Sequence, residues 1–242
     1  MKKLISLSVV LACLLCLTAA AAENENKTWK EKAELSFVDV SGNSEVQTLA
    51  AKNRLSYQLS ETLRLTWKVE VLSGTSDGER NAESYFSELR EDLQHTERIY
   101  SYSQVSWFKD RFAGVDSRTV GSAGLGRKWL TGPAHLLAGE AGLTYTLEDL
   151  EDSGEDEYIG GRLFGEYQYH LNETASLLQS LELFADFEDS DNYRIVSESA
   201  VRTALNSFLA LKTSYVVKYT NLPSEGSEKT DRILGASLEV NF

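Results

Sequence analysis

Histidine, serine and aspartate are the side chains from which a hydrolytic enzyme would build a nucleophile and its base. The chain has three histidines, His95, His135 and His170. Each lies beside a short connection between two segments of alternating apolar and polar residues, and none lies in the longer acidic connections. A Ser–His–Asp set therefore cannot form among the longer connections. We predict no catalytic residue, no cofactor and no enzyme activity.

Carboxylates are concentrated in the segment EDLEDSGEDE, residues 148–157, which has seven of them and no base. Hard cations such as Ca²⁺ and Mg²⁺ bind clustered oxygens, but this spacing differs from that of an EF-hand loop. A solvated, self-repelling loop is the favoured interpretation, and no metal ligand is predicted. Divalent cations shared with lipopolysaccharide phosphates are the alternative partner for such acidic loops.

The overall charge excludes one class of partner. The chain has 37 Asp and Glu residues against 24 Lys and Arg residues, which gives a formal charge of −13. Nucleic acid attracts basic surfaces, so this balance argues against nucleic acid as a partner.

The first residues predict export. Residues 1–22 place Lys2 and Lys3 before an apolar run and end in small residues, which is the pattern of a cleaved secretory signal peptide. Both cysteines of the chain lie in this segment. We therefore expect a mature domain of residues 23–242 that has no disulfide although it enters an oxidising compartment.

Alternation of apolar and polar residues recurs along the rest of the chain. In ETLRLTWKVEV, residues 61–71, Leu63, Leu65 and Trp67 alternate with polar residues. A period of two indicates a strand with two different faces. Twelve such segments are predicted near residues 29–40, 45–59, 62–72, 83–94, 98–110, 117–129, 135–147, 157–170, 175–187, 193–205, 208–220 and 230–242. The faces within 83–110 are left open because the alternation there is less regular.

The connections between these segments alternate between short turns and mostly longer polar ones, such as residues 73–82 and 221–229. Short periplasmic turns and longer acidic extracellular loops are typical of bacterial outer-membrane barrels. An apolar outer face is stable in lipid, where every backbone group must be paired and the sheet must close. We predict an all-β fold: a single closed antiparallel transmembrane β-barrel of about 12 strands in the outer membrane of a Gram-negative bacterium. A β-sandwich would explain the alternation but not the two kinds of connection.

The chain ends in ILGASLEVNF, where Leu238, Val240 and Phe242 share one apolar face. In a closed barrel the last strand must pair with the first. The terminal aromatic residue resembles the signal that is read by the outer-membrane barrel-assembly machinery. We therefore expect that machinery, outer-membrane lipid and lipopolysaccharide as partners.

The polar faces of the strands would line the lumen. The residues predicted there are Lys52, Arg54, Arg64, Lys68, Arg118, Arg162, Glu166, Arg194, Arg202 and Lys212. A basic lining favours anion passage, whereas acids on the same faces can pair with bases on neighbouring strands. Two hypotheses follow: a narrow channel for small polar or anionic solutes, or a non-conducting structural barrel for envelope integrity or adhesion with a charge-paired interior.

Three stretches resemble a known family: WKEKAELSFVDVSGNSEVQTLAAKNRLSYQ, KDRFAGVDSRTVGSAGLGRKW and LLAGEAGLTY. They look like the YdiY-like salt-induced outer membrane proteins, and the SGN turn and the DRFAG…GLG stretch are the most specific points. The resemblance implies an outer-membrane barrel over nearly the whole mature chain. The family name implies a link to salt stress, and the family brings no substrate and no catalytic residue.

Overall fold

The computed structural model describes residues 28–40, 46–152 and 154–242, and every regular element in these ranges is a β-strand. The strands are β1 (Trp29–Val40), β2 (Val46–Gln58), β3 (Leu63–Ser76), β4 (Glu79–Gln94), β5 (Ile99–Asp110), β6 (Val115–Thr131), β7 (His135–Leu150), β8 (Gly154–His170), β9 (Ala175–Asp186), β10 (Tyr193–Ala204), β11 (Leu209–Thr220) and β12 (Thr230–Asn241). The described ranges contain no helix that is long and apolar enough to cross a membrane. The predicted signal peptide of residues 1–22 and the SGN turn at 41–43 lie outside the described residues.

The strands close into one barrel. Each strand pairs antiparallel with its neighbours in the chain, and β1 pairs with β12. The closing pairs run from Lys32↔Asn241 to Leu35↔Leu238. The predicted twelve-stranded antiparallel barrel is therefore confirmed.

The outer face of the barrel is apolar. Large apolar side chains that are between 46% and 75% exposed occur on eleven of the twelve strands, among them Trp67, Leu125, Leu143, Leu163, Leu181, Val201, Leu211 and Leu234. Such a band is stable against lipid and would be costly in water. The residues that alternate with these apolar ones along each strand therefore face the lumen.

Two segments predicted as loops, residues 73–82 and 148–157, are mostly paired strand. β3 and β4 continue to a turn at Asp77 and Gly78, whose φ angles of 50° and 83° suit a tight hairpin turn. β7 likewise continues to Leu150, and β8 begins at Gly154. These predicted boundaries are wrong because the strand ends beyond the apolar band carry polar residues on both faces, so the alternation that marks a strand is lost.

The register of the strand pairs determines which residues of β4 and β5 point into the lumen. Glu88 on β4 lies directly opposite the lumen-facing Lys68 on β3, and their side chains form an ion pair of 2.5 Å. Every second residue from Glu88 therefore faces inward, including Arg90 on β4. The pairing of β4 with β5 then turns Tyr100 and Tyr102 into the lumen.

Glycines on β6 and β7 allow the backbones and these tyrosines to approach closely. Gly124 lies opposite Gly142 in the β6–β7 ladder. A Cβ at Gly124 would overlap the carbonyl oxygen of Ala141, and one at Gly142 would lie 2.5 Å from the carbonyl oxygen of Ala123 and overlap the hydroxyl of Tyr102. Only glycine fits these two positions without a shift of backbone.

We predict that Gly124→Ala destabilises the barrel by about 1–3 kcal/mol, because the added methyl group forces the β6–β7 backbones apart. The matched control is Gly165→Ala on β8, where a Cβ has no neighbouring atom within 4 Å. Urea unfolding in lipid vesicles, followed by the gel mobility of unheated samples, measures both. Equal stability of the two variants would contradict the packing described for Gly124.

Candidate functional site

The centre of the lumen contains a compact ion-pair cluster, which we call the central cluster: Arg90, Tyr100, Tyr102, Glu140 and Arg162. Glu140 on β7 accepts hydrogen bonds from Arg90 Nη2 at 2.6 Å, Arg162 Nη1 at 2.7 Å and the Tyr100 hydroxyl at 2.7 Å. Glu140 is 8% exposed and Arg162 is 4% exposed. Buried charges of this kind are tolerated only when their hydrogen bonds are satisfied.

Tyr102 joins the two arginines of the central cluster. The guanidinium carbon of Arg90 lies 4.6 Å from the centroid of the Tyr102 ring, and that of Arg162 lies 5.1 Å from it. Both distances are within the range of cation–π attraction. Arg162 also donates from Nε to Glu182 on β9 at 2.5 Å. The cluster therefore links β4, β5, β7, β8 and β9 across the lumen side of the wall.

A second set of ion pairs lies where the barrel closes, and we call it the seam cluster: Lys32, Glu34, Glu198, Arg202, Lys212 and Glu239. Glu239 on β12 is fully buried and binds Lys32 Nζ and Arg202 Nε, each at 2.7 Å. Lys212 Nζ lies 3.3 Å from Glu34 and 2.8 Å from Glu198. These pairs tie β10, β11 and β12 to β1 at the level of the closing ladder.

The lumen keeps free space between these clusters. A cavity of ≈ 1080 Å³ borders Arg64 and Lys128 near the short-turn ends of β3 and β6, and it also borders Pro223 and Ser224 after β11. A second cavity of ≈ 130 Å³ is bordered by residues of β1, β2 and β3 and of β8, β9, β10 and β11. Because those strands lie on opposite walls, the smaller cavity is a narrow part of the lumen.

The predicted lumen residues lie as follows. Those that border the larger cavity are Lys52, Arg54, Arg64, Lys68, Arg118, Arg162, Glu166 and Arg194. Lys212 borders the smaller cavity, and Arg202 is held by Glu239 in the seam cluster.

Two of these residues differ from the rest in their pairing. Arg54 on β2 and Glu166 on β8 both border the narrow cavity, and their strands are six positions apart in the barrel. Both are solvent-exposed within the lumen, and within the described residues neither has an oppositely charged side chain within 4.0 Å. The narrow cavity is thus flanked by one basic and one acidic side chain whose charges are not used in ion pairs.

Residues 221–229, the mouth loop, cross the long-loop end of the barrel. The hydroxyl of Ser224 donates to the carbonyl oxygen of Gly114 at 3.0 Å, and the amide of Glu225 donates to a carboxylate oxygen of Asp152 at 2.5 Å. Gly114 follows β5, on the side of the barrel opposite β11 and β12. The mouth loop therefore reaches over the entrance of the larger cavity.

The C-terminal residues complete the wall. Leu238 lies between Leu35 on β1 and Leu211 on β11, and Val240 pairs with Ala33. The amide of Phe242 donates to the carbonyl oxygen of Glu31 at 3.0 Å. Recognition of these residues by an assembly machinery stays a prediction.

The three histidines lie at the short-turn end. The ring of His135 stacks on Tyr169 with centroids 4.6 Å apart, and Nε2 of His95 lies 2.8 Å from the hydroxyl of Ser101. Within the described residues no carboxylate hydrogen-bonds a histidine ring, and no group of three or more histidines and acids is placed to hold a metal ion. These contacts offer no base activated in the manner of a catalytic triad.

Three residues of the central cluster, Arg90, Tyr100 and Tyr102, were not among the lumen residues predicted from the sequence. Their strands have small polar residues on the outer face, such as Ser101 and Ser103, so the alternation is weak there. Charge complementarity between Lys68 and the later Glu88 was the signal that could have fixed the phase.

Comparison with known proteins places this geometry in context. A family model described as "Protein of unknown function, DUF481" matches residues 33–242. The "Uncharacterized protein YdiY" of Escherichia coli (strain K12) is 28% identical over 213 residues, which are 88% of this chain and 82% of that protein.

Solved structures share the barrel fold at low sequence identity. An outer membrane channel from Pseudomonas putida F1 is 12% identical, with a TM-score of 0.53 over 91% of this chain and 100% of that chain. The translocator domain of the autotransporter NalP from Neisseria meningitidis is 12% identical, with a TM-score of 0.52 over 100% and 97%. The NanC porin is 9% identical, with a TM-score of 0.51 over 88% and 97%.

We predict that Glu140→Ala destabilises the barrel by about 3–5 kcal/mol, because Arg90 and Arg162 then lose a shared buried counter-charge. Glu83→Ala is the matched control, since Glu83 pairs with Arg80 at the exposed end of β4 and little change is expected there. Guanidinium unfolding in detergent micelles compares the two. A loss of stability no larger for Glu140→Ala than for Glu83→Ala would contradict the role of the central cluster.

Proposed function

The chain belongs to the DUF481 family of proteins of unknown function, and on that premise we propose that it is a narrow channel for small polar or anionic solutes in the outer membrane of a Gram-negative bacterium. The observation that carries the proposal is the lumen cavity, which borders residues near the short-turn end and residues of the mouth loop. Between them the passage narrows at Arg54 and Glu166.

The membrane assignment rests on the apolar outer band and the closed sheet, which suit lipid and not water. Two structures of similar fold bear the names of an outer membrane channel and a porin. Export through the predicted signal peptide and insertion by the barrel-assembly machinery would bring the chain into contact with outer-membrane lipid and lipopolysaccharide. The family name of the YdiY-like relatives supports a further proposal, that the channel serves the response to salt.

Selectivity in this proposal comes from the few charges that are not already paired. The seam cluster has three bases and three acids, and the ion pairs around the central cluster join Arg64, Arg90 and Arg162 to Asp92, Glu140 and Glu182. Both networks are therefore neutral as units, so their effect on a passing ion is small. Arg54 would attract anions and Glu166 cations at the narrow cavity. In total, five basic and four acidic side chains border that cavity, so we expect only a weak overall preference for anions. No step of this function involves catalysis.

The density of ion pairs favours a second candidate function, a non-conducting structural barrel. Lys218 reaches the ring of Phe108 on the opposite wall at 5.4 Å, and the mouth loop covers the entrance. If these contacts close the lumen to ions, the role of the protein would be in envelope integrity or adhesion. The acidic ends of β7 and β8 would then meet the surroundings of the cell, with divalent cations shared with lipopolysaccharide as partners.

The two unpaired charges give the test of the channel. We predict that Arg54→Gln lowers the anion-to-cation permeability ratio and that Glu166→Gln raises it, each by roughly fivefold, because a charge near 4 Å in water is worth about 1 kcal/mol. Reversal potentials under a salt gradient across planar bilayers measure the ratio. Glu91→Gln, on the outer face of β4, is the control that should leave it unchanged. Unchanged reversal potentials in both lumen variants would contradict the channel proposal.

The mouth loop gives a second prediction. Gly114 has a φ of 65°, and a Cβ there would lie 2.6 Å from the Cβ of Ser224. Gly114→Ala should push the mouth loop away and raise the conductance. Gly78→Ala has a similar positive φ of 83° without any neighbour within 4 Å, so it controls for backbone strain alone. Equal conductance of the two variants would show that the mouth loop does not restrict the entrance.

A further inference from the structure

Hydrogen bonding between β1 and β12 stops partway along the seam. The ladder ends at Leu35↔Leu238, although β1 continues to Val40 and β12 begins at Thr230. Over the same span β1 remains paired with β2, and β12 remains paired with β11. Within the described residues, β1 and β12 therefore form no ladder on the long-loop side of the seam, which leaves an opening between the two strand edges, while the seam cluster holds the other side closed.

The opening lies next to lipid-facing residues. Leu234 on β12 points outward beside the opening and is 75% exposed. Its partner in the ladder is Tyr215 on β11, and the aromatic Tyr219 lies four residues nearer the long-loop end. Aromatic residues of this kind mark the membrane interface, so the opening at Leu234 lies within the apolar band.

The large cavity reaches this opening. Leu234, Gly235 and Ala236, which lie on β12 beside the opening, all border it. Gly235 is on the lumen face of β12, and a Cβ there would have no atom within 4 Å, so space is available on the lumen side of the opening.

The interior near the opening has apolar side chains that lie among charged ones such as Lys218 and Asp231. Val216 and Ile233 lie directly opposite each other on β11 and β12 and border the cavity. On the far wall Phe86 and Phe108 form a second cross-strand pair that borders the same cavity. Apolar surface inside a barrel favours an apolar occupant, because contact with that occupant removes the surface from water.

We propose that the open half of the β1–β12 seam is a lateral entrance through which the acyl chain of an amphiphile passes between the membrane and the upper part of the lumen. The free backbone groups of the two strand edges can be hydrated from the lumen, which is the condition under which unpaired backbone is tolerated at membrane depth. This entrance does not depend on whether the lumen conducts ions.

An added β-strand from another protein is the competing occupant. It would satisfy the free edges of β1 and β12. It would leave the inward apolar pairs Val216–Ile233 and Phe86–Phe108 without contact, because a strand in the wall projects only alternate side chains inward. The apolar lining therefore favours a flexible chain that enters the cavity.

The test uses the protein of residues 23–242 with F86C as its only thiol, labelled with a small fluorophore on the far wall of the cavity. The protein is reconstituted in phosphatidylcholine with or without bromine atoms on the acyl chains. Bromine quenches on contact, so a chain inside the lumen should remove roughly half of the fluorescence. Gly235→Phe fills the opening, and Gly165→Phe, on the paired outer wall, is its control.

We expect quenching in the unmodified seam and in Gly165→Phe, and its loss in Gly235→Phe. Absence of quenching in all three proteins would overturn the proposal, as would quenching that Gly235→Phe leaves intact. All variants must show the heat-shifted gel mobility of a folded barrel before they are compared. A co-purified strand that fills the seam would also prevent quenching in all three proteins. In that case the proposal fails, and the added strand is the occupant of the seam.

Discussion

Backbone hydrogen bonding in lipid is the constraint on which the rest of this structure depends. A sheet exposed to hydrocarbon must pair its amides and carbonyls from strand to strand, and twelve strands meet that demand by closing on themselves, except on the long-loop side of the β1–β12 seam. Closure then fixes the pleat, with leucine and other apolar residues outside and charged residues inside. Once the charges are confined to a narrow lumen, their pairing becomes the second requirement for stability.

The charged side chains of the lumen are paired differently on the two sides of the barrel. In the central cluster Glu140 accepts hydrogen bonds from both Arg90 and Arg162. Glycines on β6 and β7 leave space for the two tyrosines of that cluster. In the seam cluster Glu239 and Lys212 act across the junction of the two chain ends. The same ion pairs that stabilise closure thereby determine how much of the lumen remains free, and they leave Arg54 and Glu166 outside ion pairs, where the proposed channel would use their charges.

The sequence was sufficient for the strand number and for the closed antiparallel barrel, because alternation is a local property of each strand. It was insufficient for β4 and β5, where serines on the outer face obscure the period and the phase is set by Lys68 on another strand. The partner of a lumen charge is also not a local property: Arg90 and Glu140 are three strands apart and meet only because the barrel is closed. The incomplete ladder between β1 and β12 has no counterpart in the sequence, since both strands alternate as if they were fully paired.

Single-channel current across a planar bilayer tests the central claim most directly, that the paired lumen retains a polar path from one end to the other. The protein should first show the heat-shifted gel mobility of a closed barrel. The account predicts small, discrete current steps with a weak preference for anions. A verified barrel that carries no current over a wide range of voltage and salt would contradict it, and would favour an interior closed by its own ion pairs.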